Sequence, residues 1–401
     1  MTEAPLLTIL CLASYEKGVD FMRECHEHGC RVLLLTQSHL ADSAFWPRDA
    51  IDHFFYMPDM YNRQDVVYGV SYLSRTETID RIVALDDFDV EMAAALREHL
   101  RIPGMGDSTA RYFRDKLAMR VKARDEGILV PEFMHVLNYD HLRGWMERVP
   151  PPWVLKPRSE ASSVGIKKIT ESEQLWRTLD TLGDRQSFYV LEKYIDGDVY
   201  HVDSIVVDRE VVFAETHRYA HPLLDVTHGG GIFCSSTLLR GSEDERALHD
   251  HNRHLLRSLG LVRGVSHTEF IKGRNGEFYF LETSARVGGA YIPEMVKAAT
   301  GINLWREWAR IEIGGRKQPY SVPVPRHDYG GILISLARQE HPDTSAYQDQ
   351  EIVWRLDKHH HVGLVVGSPD PDRVQWLLAE YSRRIANDFY ASQPAPQRPT
   401  A

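Results

Sequence analysis

An α/β protein of two or three domains is what this sequence predicts, and three observations carry the prediction. The first hundred residues alternate short, continuous apolar runs with amphipathic helical patterns. Near the middle, a strand ending in a lysine enters a loop of small residues and returns as a second strand. Later, two strands joined by a Gly273-Arg274-Asn275-Gly276 turn each carry a glutamate.

The chain has 401 residues, enough to bury a substantial core, with 26% charged and 43% hydrophobic residues. Its formal net charge is −10, and no Lys/Arg-rich block interrupts it. Nucleic acid is therefore not an expected partner, because phosphate binding needs a basic face. Cys11, Cys25, Cys30 and Cys234 form no Cys-x-x-Cys pair. Free thiols are expected, not a disulfide framework or a zinc site. Met1 to Pro5 carries no charged segment leading into a long apolar run, and no apolar stretch reaches spanning length. A cytoplasmic protein without a membrane partner is the expectation.

Taken in order, Leu6 to Ala13 reads as a strand buried on both faces, Gly18 to His28 as a helix stopped by Gly29, and Arg31 to Thr36 as the next strand. Arg81 to Leu85 and Asp89 to Leu100 repeat the strand and helix, so a parallel α/β domain fills the first hundred residues. The loop Ser14-Tyr15-Glu16-Lys17-Gly18 lacks a Gly-x-Gly-x-x-Gly, which removes most support for a dinucleotide oxidoreductase. Beyond Pro103 to Asp107, a helix is expected over Ser108 to Glu126, then an extended entry at Val130 to Phe133 and a helix over Leu142 to Arg148. Glu171 to Leu182 reads as a helix and Ser187 to Ile195 as a strand. Asp198 to Val207 alternates, with Val199, His201 and Asp203 on one face, and Val211 to Thr216 pairs with it. Thr227 to Phe233 is a glycine-rich loop, Asp244 to Leu259 a helix, and Gly264 to Ile271 pairs with Glu277 to Thr283. Pro293 to Thr300 is a helix ended by Gly301. The remainder reads as strands at Tyr329 to Ala337 and His361 to Gly367, a helix over Asp372 to Phe389, and a Pro/Gln/Ala-rich tail from Ser392 expected to be disordered.

The strand–loop–strand runs from Trp153 to Ile169. Its small residues let backbone N–H groups approach an anion, Ser162 and Ser163 add hydroxyl donors, and Lys156 adds a positive charge at the strand's mouth. That equipment suits a polyphosphate, although it is not the Gly-x-x-x-x-Gly-Lys-Ser/Thr loop. An ordinary hairpin with a polar tip fits the same residues.

In their order these segments resemble the ATP-grasp superfamily, from Leu6 to Leu304. The loop Lys156 to Gly165 is similar to the phosphate loop of D-alanine–D-alanine ligases, with Ala161 where those have glycine. The layout that includes Glu282-Thr283-Ser284-Ala285-Arg286 is similar to amino-acid and dipeptide carboxylate–amine ligases. The resemblance implies a Rossmann-like pre-ATP-grasp domain over 1–107, a small lid domain over 108–190 and a larger central domain over 191–322. A C-terminal α+β subdomain over 323–391 and a tail over 392–401 would follow. It also implies that Lys116 and Lys156 hold the α- and β-phosphates of ATP. Glu192-Lys193-Tyr194-Ile195 would be the adenine hinge, with the Glu192 carboxylate on the exocyclic amine and backbone groups of Lys193 and Ile195 on the remaining edge.

Two departures stand out. The glutamate usual two residues after the hinge glycine is absent, since Asp198 and Val199 follow Gly197, so Asp198 or His201 is the expected substitute at the ribose. Glu269 and Glu282 would share Mg²⁺ (or Mn²⁺), but the third ligand, usually an asparagine, is Ser284 here. Arg286 matches an arginine on phosphoryl oxygens or substrate carboxylate, and Gly288-Gly289 a turn passing close to substrate. Without the resemblance, two glutamates on strands read as solvated faces more readily than as ligands. His359, His360 and His361 read as a polar edge, at most a substrate contact, because neighbours on a strand point apart. His217 and Arg218 read either as neighbours of the acceptor pocket or as surface residues. The implied activity is ATP- and Mg²⁺-dependent amide or peptide bond formation through an acyl phosphate, releasing ADP and phosphate, on a small carboxylate and an amine such as amino acids. A homodimer through the first domain would fit the family. Rivals are an ATP-grasp carboxylase, a ligase using another nucleophile, and a nucleotide-binding regulator without turnover.

Overall fold

In the computed structural model, residues 6–161, 164–221, 231–314 and 320–391 are described. They form three sheets. The first is parallel, in the order β3-β2-β1-β4, from β1 (Thr8–Ala13), β2 (Arg31–Gln37), β3 (His53–Met57) and β4 (Arg81–Ala84). Every residue of β1 is buried, as its unbroken apolar run requires, because helices cover both faces of such a sheet. Leu10 and Leu12 pack on one side, and Ile9 and Cys11 pack on the other with Phe21 and Met22. β3 and the helix Arg63–Leu73 add to the expected strands and helices. β3 lies at the sheet edge and is only half covered, so its sequence carries no clean alternation. All four cysteines are free. Among the described residues, no helix is long and apolar enough to cross a membrane.

The helix expected over Ser108 to Glu126 is broken. A turn at Asp107–Ala110 and a 3₁₀ turn at Arg111–Phe113 precede a separate helix, Lys116–Asp125. Asp115 is the cause. Its carboxylate accepts from the amides of Leu117 (2.9 Å) and Ala118 (3.3 Å), and that N-cap competes with continuing the helix. The carboxylate also holds Arg158 in the strand–loop segment. Asp115→Ala should therefore cost about 1–2 kcal/mol of stability in urea unfolding. An unchanged unfolding midpoint would show that the cap contributes nothing.

The second sheet is antiparallel, in the order β5-β8-β6-β7: β5 (Phe133–His135), β6 (Trp153–Pro157), β7 (Lys167–Ile169) and β8 (Tyr189–Lys193). Trp153 and Leu155 turn into its core, while Val154 and Lys156 turn into the cavity described below.

The third sheet runs β13-β12-β9-β10-β11-β14-β16-β15. It comprises β9 (Gly197–Val207), β10 (Glu210–Tyr219), β11 (Phe233–Thr237), β12 (Gly264–Gly273), β13 (Phe278–Ser284), β14 (Tyr329–Leu336), β15 (Ile352–Arg355) and β16 (His361–Ser368). The strands of the expected C-terminal α+β subdomain extend this sheet, because β14 pairs with β11, Phe233 opposite Ile334. The helix Pro371–Asp388 covers them. The added helix Leu304–Gly314 packs against Val19–Glu27 of the first unit, with Trp308 edge-on to Phe21. Most of the glycine-rich loop and the tail from Ser392 lie outside the described residues.

Candidate active site

A cavity of about 370 Å³ lies where the three sheets converge. β6 and β8 supply Lys156 and Glu192, the helix Lys116–Asp125 supplies Lys116, β12 and β13 supply Glu269 and Glu282, and the loop after β4 supplies Asp87. Apolar side chains such as Val154, Ile195, Val199 and Leu281 form much of the wall.

Charges inside are paired. Lys156 Nζ lies 2.6 Å from Glu192, whose other oxygen is 2.9 Å from Arg120 Nε. Burial drives the Glu192 carboxyl up, but Arg120 and then Lys156 outweigh it and hold the group below the usual range. Burial also lowers the Lys156 amine, partly offset by Glu192. Lys116 Nζ lies 2.9 Å from Glu282 and donates to the Glu160 carbonyl at 2.7 Å. Burial raises the Glu282 carboxyl, and Lys116 more than reverses the effect.

Glu269 and Glu282 are direct partners in the β12–β13 register, so antiparallel pairing puts both carboxylates on one face of the sheet. Tyr219 donates to Glu269 at 2.9 Å, and His267 Nε2 lies 3.5 Å away. Ser284 donates to Asp87, and so does Arg286, which also donates to the Val287 carbonyl at 2.8 Å. An all-oxygen set of two carboxylates and a hydroxyl suits a hard divalent cation. The Ser284 hydroxyl, already committed to Asp87, is its weakest member.

The residues expected to form the hinge, Glu192, Lys193, Tyr194 and Ile195, all line the cavity. The Lys193 amide is taken by the Glu132 carbonyl (2.7 Å) and the Tyr194 amide by that of Pro152 (3.0 Å). Glu160, Ala161 and Val164 line the same cavity, whereas Ser162 and Ser163 lie outside the described residues.

The two expected ribose substitutes are not brought to the cavity. Gly197 and Val199 line it, and strand alternation sends Asp198 to the opposite face, where it pairs with Arg218 at 3.0 Å. His201 is fully buried, its Nδ1 2.7 Å from Asp203 and its Nε2 2.8 Å from Ser235 Oγ. Asp203 also meets His267 at 2.9 Å. Burial alone would neutralise His267, but Asp203 outweighs it and raises the imidazole to about 9. His217 is buried in the same group, stacked on His201 at 4.8 Å, and burial lowers it strongly. Neither His217 nor Arg218 lines the cavity. Gly288 serves this buried network, since a Cβ there would stand 2.9 Å from Asp203 Oδ1 and 3.0 Å from His267 Nδ1. Gly289 lines the cavity. His359 forms an exposed group with Glu340 and His341, clear of the cavity lining.

Four polar or charged lining residues escaped the sequence reading: Asp87, Arg114, Tyr219 and His267. A signal existed for two of them. Asp87 sits in an acidic run at the carboxyl end of a parallel strand, where ligands collect. His267 lies two residues before Glu269, hence on its face. Tyr219 and Arg114 reach the cavity only through sheet register and the Asp115 break.

Residues 149–294 match the family model described as an ATP-grasp domain. An L-arginine-specific L-amino acid ligase of Bacillus subtilis is 25% identical over 269 residues, which cover 65% of this chain and 64% of that protein. An alanine–anticapsin ligase of Bacillus subtilis is 23% identical over 283 residues, 66% of this chain and 58% of that one. The matched region is thus less than two thirds of either relative's length. Among solved structures, an L-amino acid ligase from Bacillus licheniformis superposes with a TM-score of 0.75 at 16% identity, covering 96% of this chain and 99% of that one. The mixed α/β architecture is that of the ATP-grasp fold.

Proposed function

We propose that this chain, which carries an ATP-grasp domain over residues 149–294, is an ATP- and Mg²⁺-dependent carboxylate–amine ligase acting on amino acids. The observation that carries the reading is the convergence of Lys116, Lys156, Arg286 and the register-paired Glu269 and Glu282 on one cavity. Two amines and a guanidinium beside two carboxylates match the needs of a nucleoside triphosphate with its divalent ion. Mg²⁺, held by Glu269 and Glu282, would neutralise charge on the phosphate oxygens. The apolar slot between Val154, Ile195 and Leu281 would take the base, its edge read at the hinge by backbone groups of Lys193 and Ile195 other than the Lys193 amide, which Glu132 takes. Lys116 and Lys156 would exchange their carboxylate partners for phosphate oxygens.

In this reading a substrate carboxylate oxygen attacks the γ-phosphorus, the bond to ADP breaks, and an acyl phosphate forms. An amine then attacks the acyl carbon and phosphate leaves. Arg286 and the two lysines stabilise the charge that develops on the transferred group. The amino-acid substrate class is supported by the ligases named above, which this chain resembles in sequence.

The test is ATP consumption against amino acids, singly and in pairs, with nucleotide products resolved. ADP and phosphate appearing only with particular amino acids are expected. AMP and pyrophosphate would replace the acyl phosphate with adenylate chemistry, and nucleotide binding without turnover would favour a regulator.

A further inference from the structure

Asp87 belongs to the first sheet's unit, yet its carboxylate ends in the cavity. It is 6% exposed and accepts from Ser284 Oγ and Arg286, with Arg114 Nη1 3.8 Å away. Two guanidiniums, Arg286 and Arg114, thus face this one buried carboxylate. The residues around it are spent on holding the loop still. Asp86 pairs with Lys17 at 2.8 Å and caps the turn by accepting from the Phe88 amide at 3.1 Å. Asp89 accepts from the Ser14 amide at 2.7 Å and its hydroxyl at 2.6 Å. The Phe88 ring lies under the Arg114 guanidinium at 4.9 Å. Three neighbours thus anchor the backbone and leave the Asp87 side chain to reach across to the end of β13.

Arg286 is held from two sides, one terminal nitrogen on Asp87 and the other on the Val287 carbonyl. Its Nε is buried and has no hydrogen-bond partner among the described residues. A buried N–H without an acceptor is costly, and this one belongs to a side chain that lines the cavity.

We infer that Asp87 is a positioning residue: it fixes the Arg286 guanidinium so that the unpartnered Nε–H meets a phosphoryl or carboxylate oxygen, tying the loop after β4 to the reacting end of the site. The inference rests on the ligase reading for what that oxygen belongs to, and on the geometry alone for the anion site itself.

The experiment titrates inorganic phosphate by calorimetry into the full chain with Mg²⁺ and ADP present, for wild type, Asp87→Asn, Arg286→Lys and the double variant. Each single change should weaken phosphate about tenfold while ADP affinity stays within about twofold. Because Asp87 acts through Arg286, the double variant should bind phosphate no worse than Arg286→Lys alone. Wild-type phosphate affinity in Asp87→Asn, multiplying effects in the double variant, or no phosphate binding by the wild type would each overturn the inference. Should Asp87→Asn unfold, Asp87→Glu keeps the charge on a longer arm and is expected to weaken phosphate a few-fold, with wild-type affinity again overturning the idea. The same titration without ADP reads Arg286 even if the chain binds no nucleotide, which separates failure of this inference from failure of the ligase reading.

Discussion

Replacing Glu282 by alanine is expected to lower ADP formation by about a thousandfold, the scale on which enzymes lose rate when a preorganised charge-stabilising group is removed. Glu282 faces Glu269 across the β12–β13 ladder, and two carboxylates side by side are unfavourable unless a cation sits with them. Lys116 supplies part of that compensation at 2.9 Å from Glu282. The side chain is 36% exposed, so the pair is worth about 1 kcal/mol or less, and the variant should unfold close to wild type. Lys116 keeps the Glu160 carbonyl as an acceptor. Turnover in Glu282→Ala with an unaltered Mg²⁺ requirement would remove Glu282 from the metal set.

Lys156→Met is expected to have two separable consequences. Nucleotide affinity, read by calorimetry with a non-hydrolysable ATP analogue, should fall about 100-fold for loss of a buried charged contact. Stability should also fall, by about 3 kcal/mol, since removing one member of a buried ion pair leaves the other uncompensated. The cost sits at the low end of that range because Arg120 still faces Glu192 at 2.9 Å. Adding Glu192→Gln would strand the fully buried Arg120 guanidinium, so it should destabilise the chain further rather than rescue it. Nucleotide affinity in Lys156→Met within about twofold of wild type, with the stability loss present, would show that Lys156 acts only as a structural counter-ion to Glu192.

Much of the fold was legible because its elements follow local rules. The unbroken apolar run at Thr8–Ala13 marks a strand covered on both faces, and the burial of every residue in it bears that out. The Gly273-to-Gly276 turn sets Phe270 opposite Phe280, and a one-residue register shift between Glu269 and Phe270, which the turn does not dictate, then faces Glu269 with Glu282. Alternation likewise puts Val154 and Lys156 on one side and Trp153 and Leu155 on the other. The same rule, applied to β9 without its neighbours, misplaced two residues. Alternation says that Asp198 and Val199 point apart, but not which of them the cavity receives. It also cannot say that Ser235 of β11 and His267 of β12 close over His201 and take it out of reach. The Ser108-to-Glu126 helix failed for a local reason, an aspartate whose side chain served as a cap.

By itself the sequence determined the strand and helix periods, the lysine at the mouth of β6 and the presence of a glutamate on each of two neighbouring strands, because each is set by contacts between residues close along the chain or across one turn. The register shift that sets Glu269 opposite Glu282 was not among them. Only the tertiary structure decided that Asp87, 197 residues from Ser284 and 199 from Arg286, would meet them both. It alone joined the C-terminal strands to the central sheet and enclosed His201, Asp203 and His267 in one buried network. Those contacts depend on how three sheets pack, and packing is decided by the summed burial of whole faces, which no single stretch of sequence records.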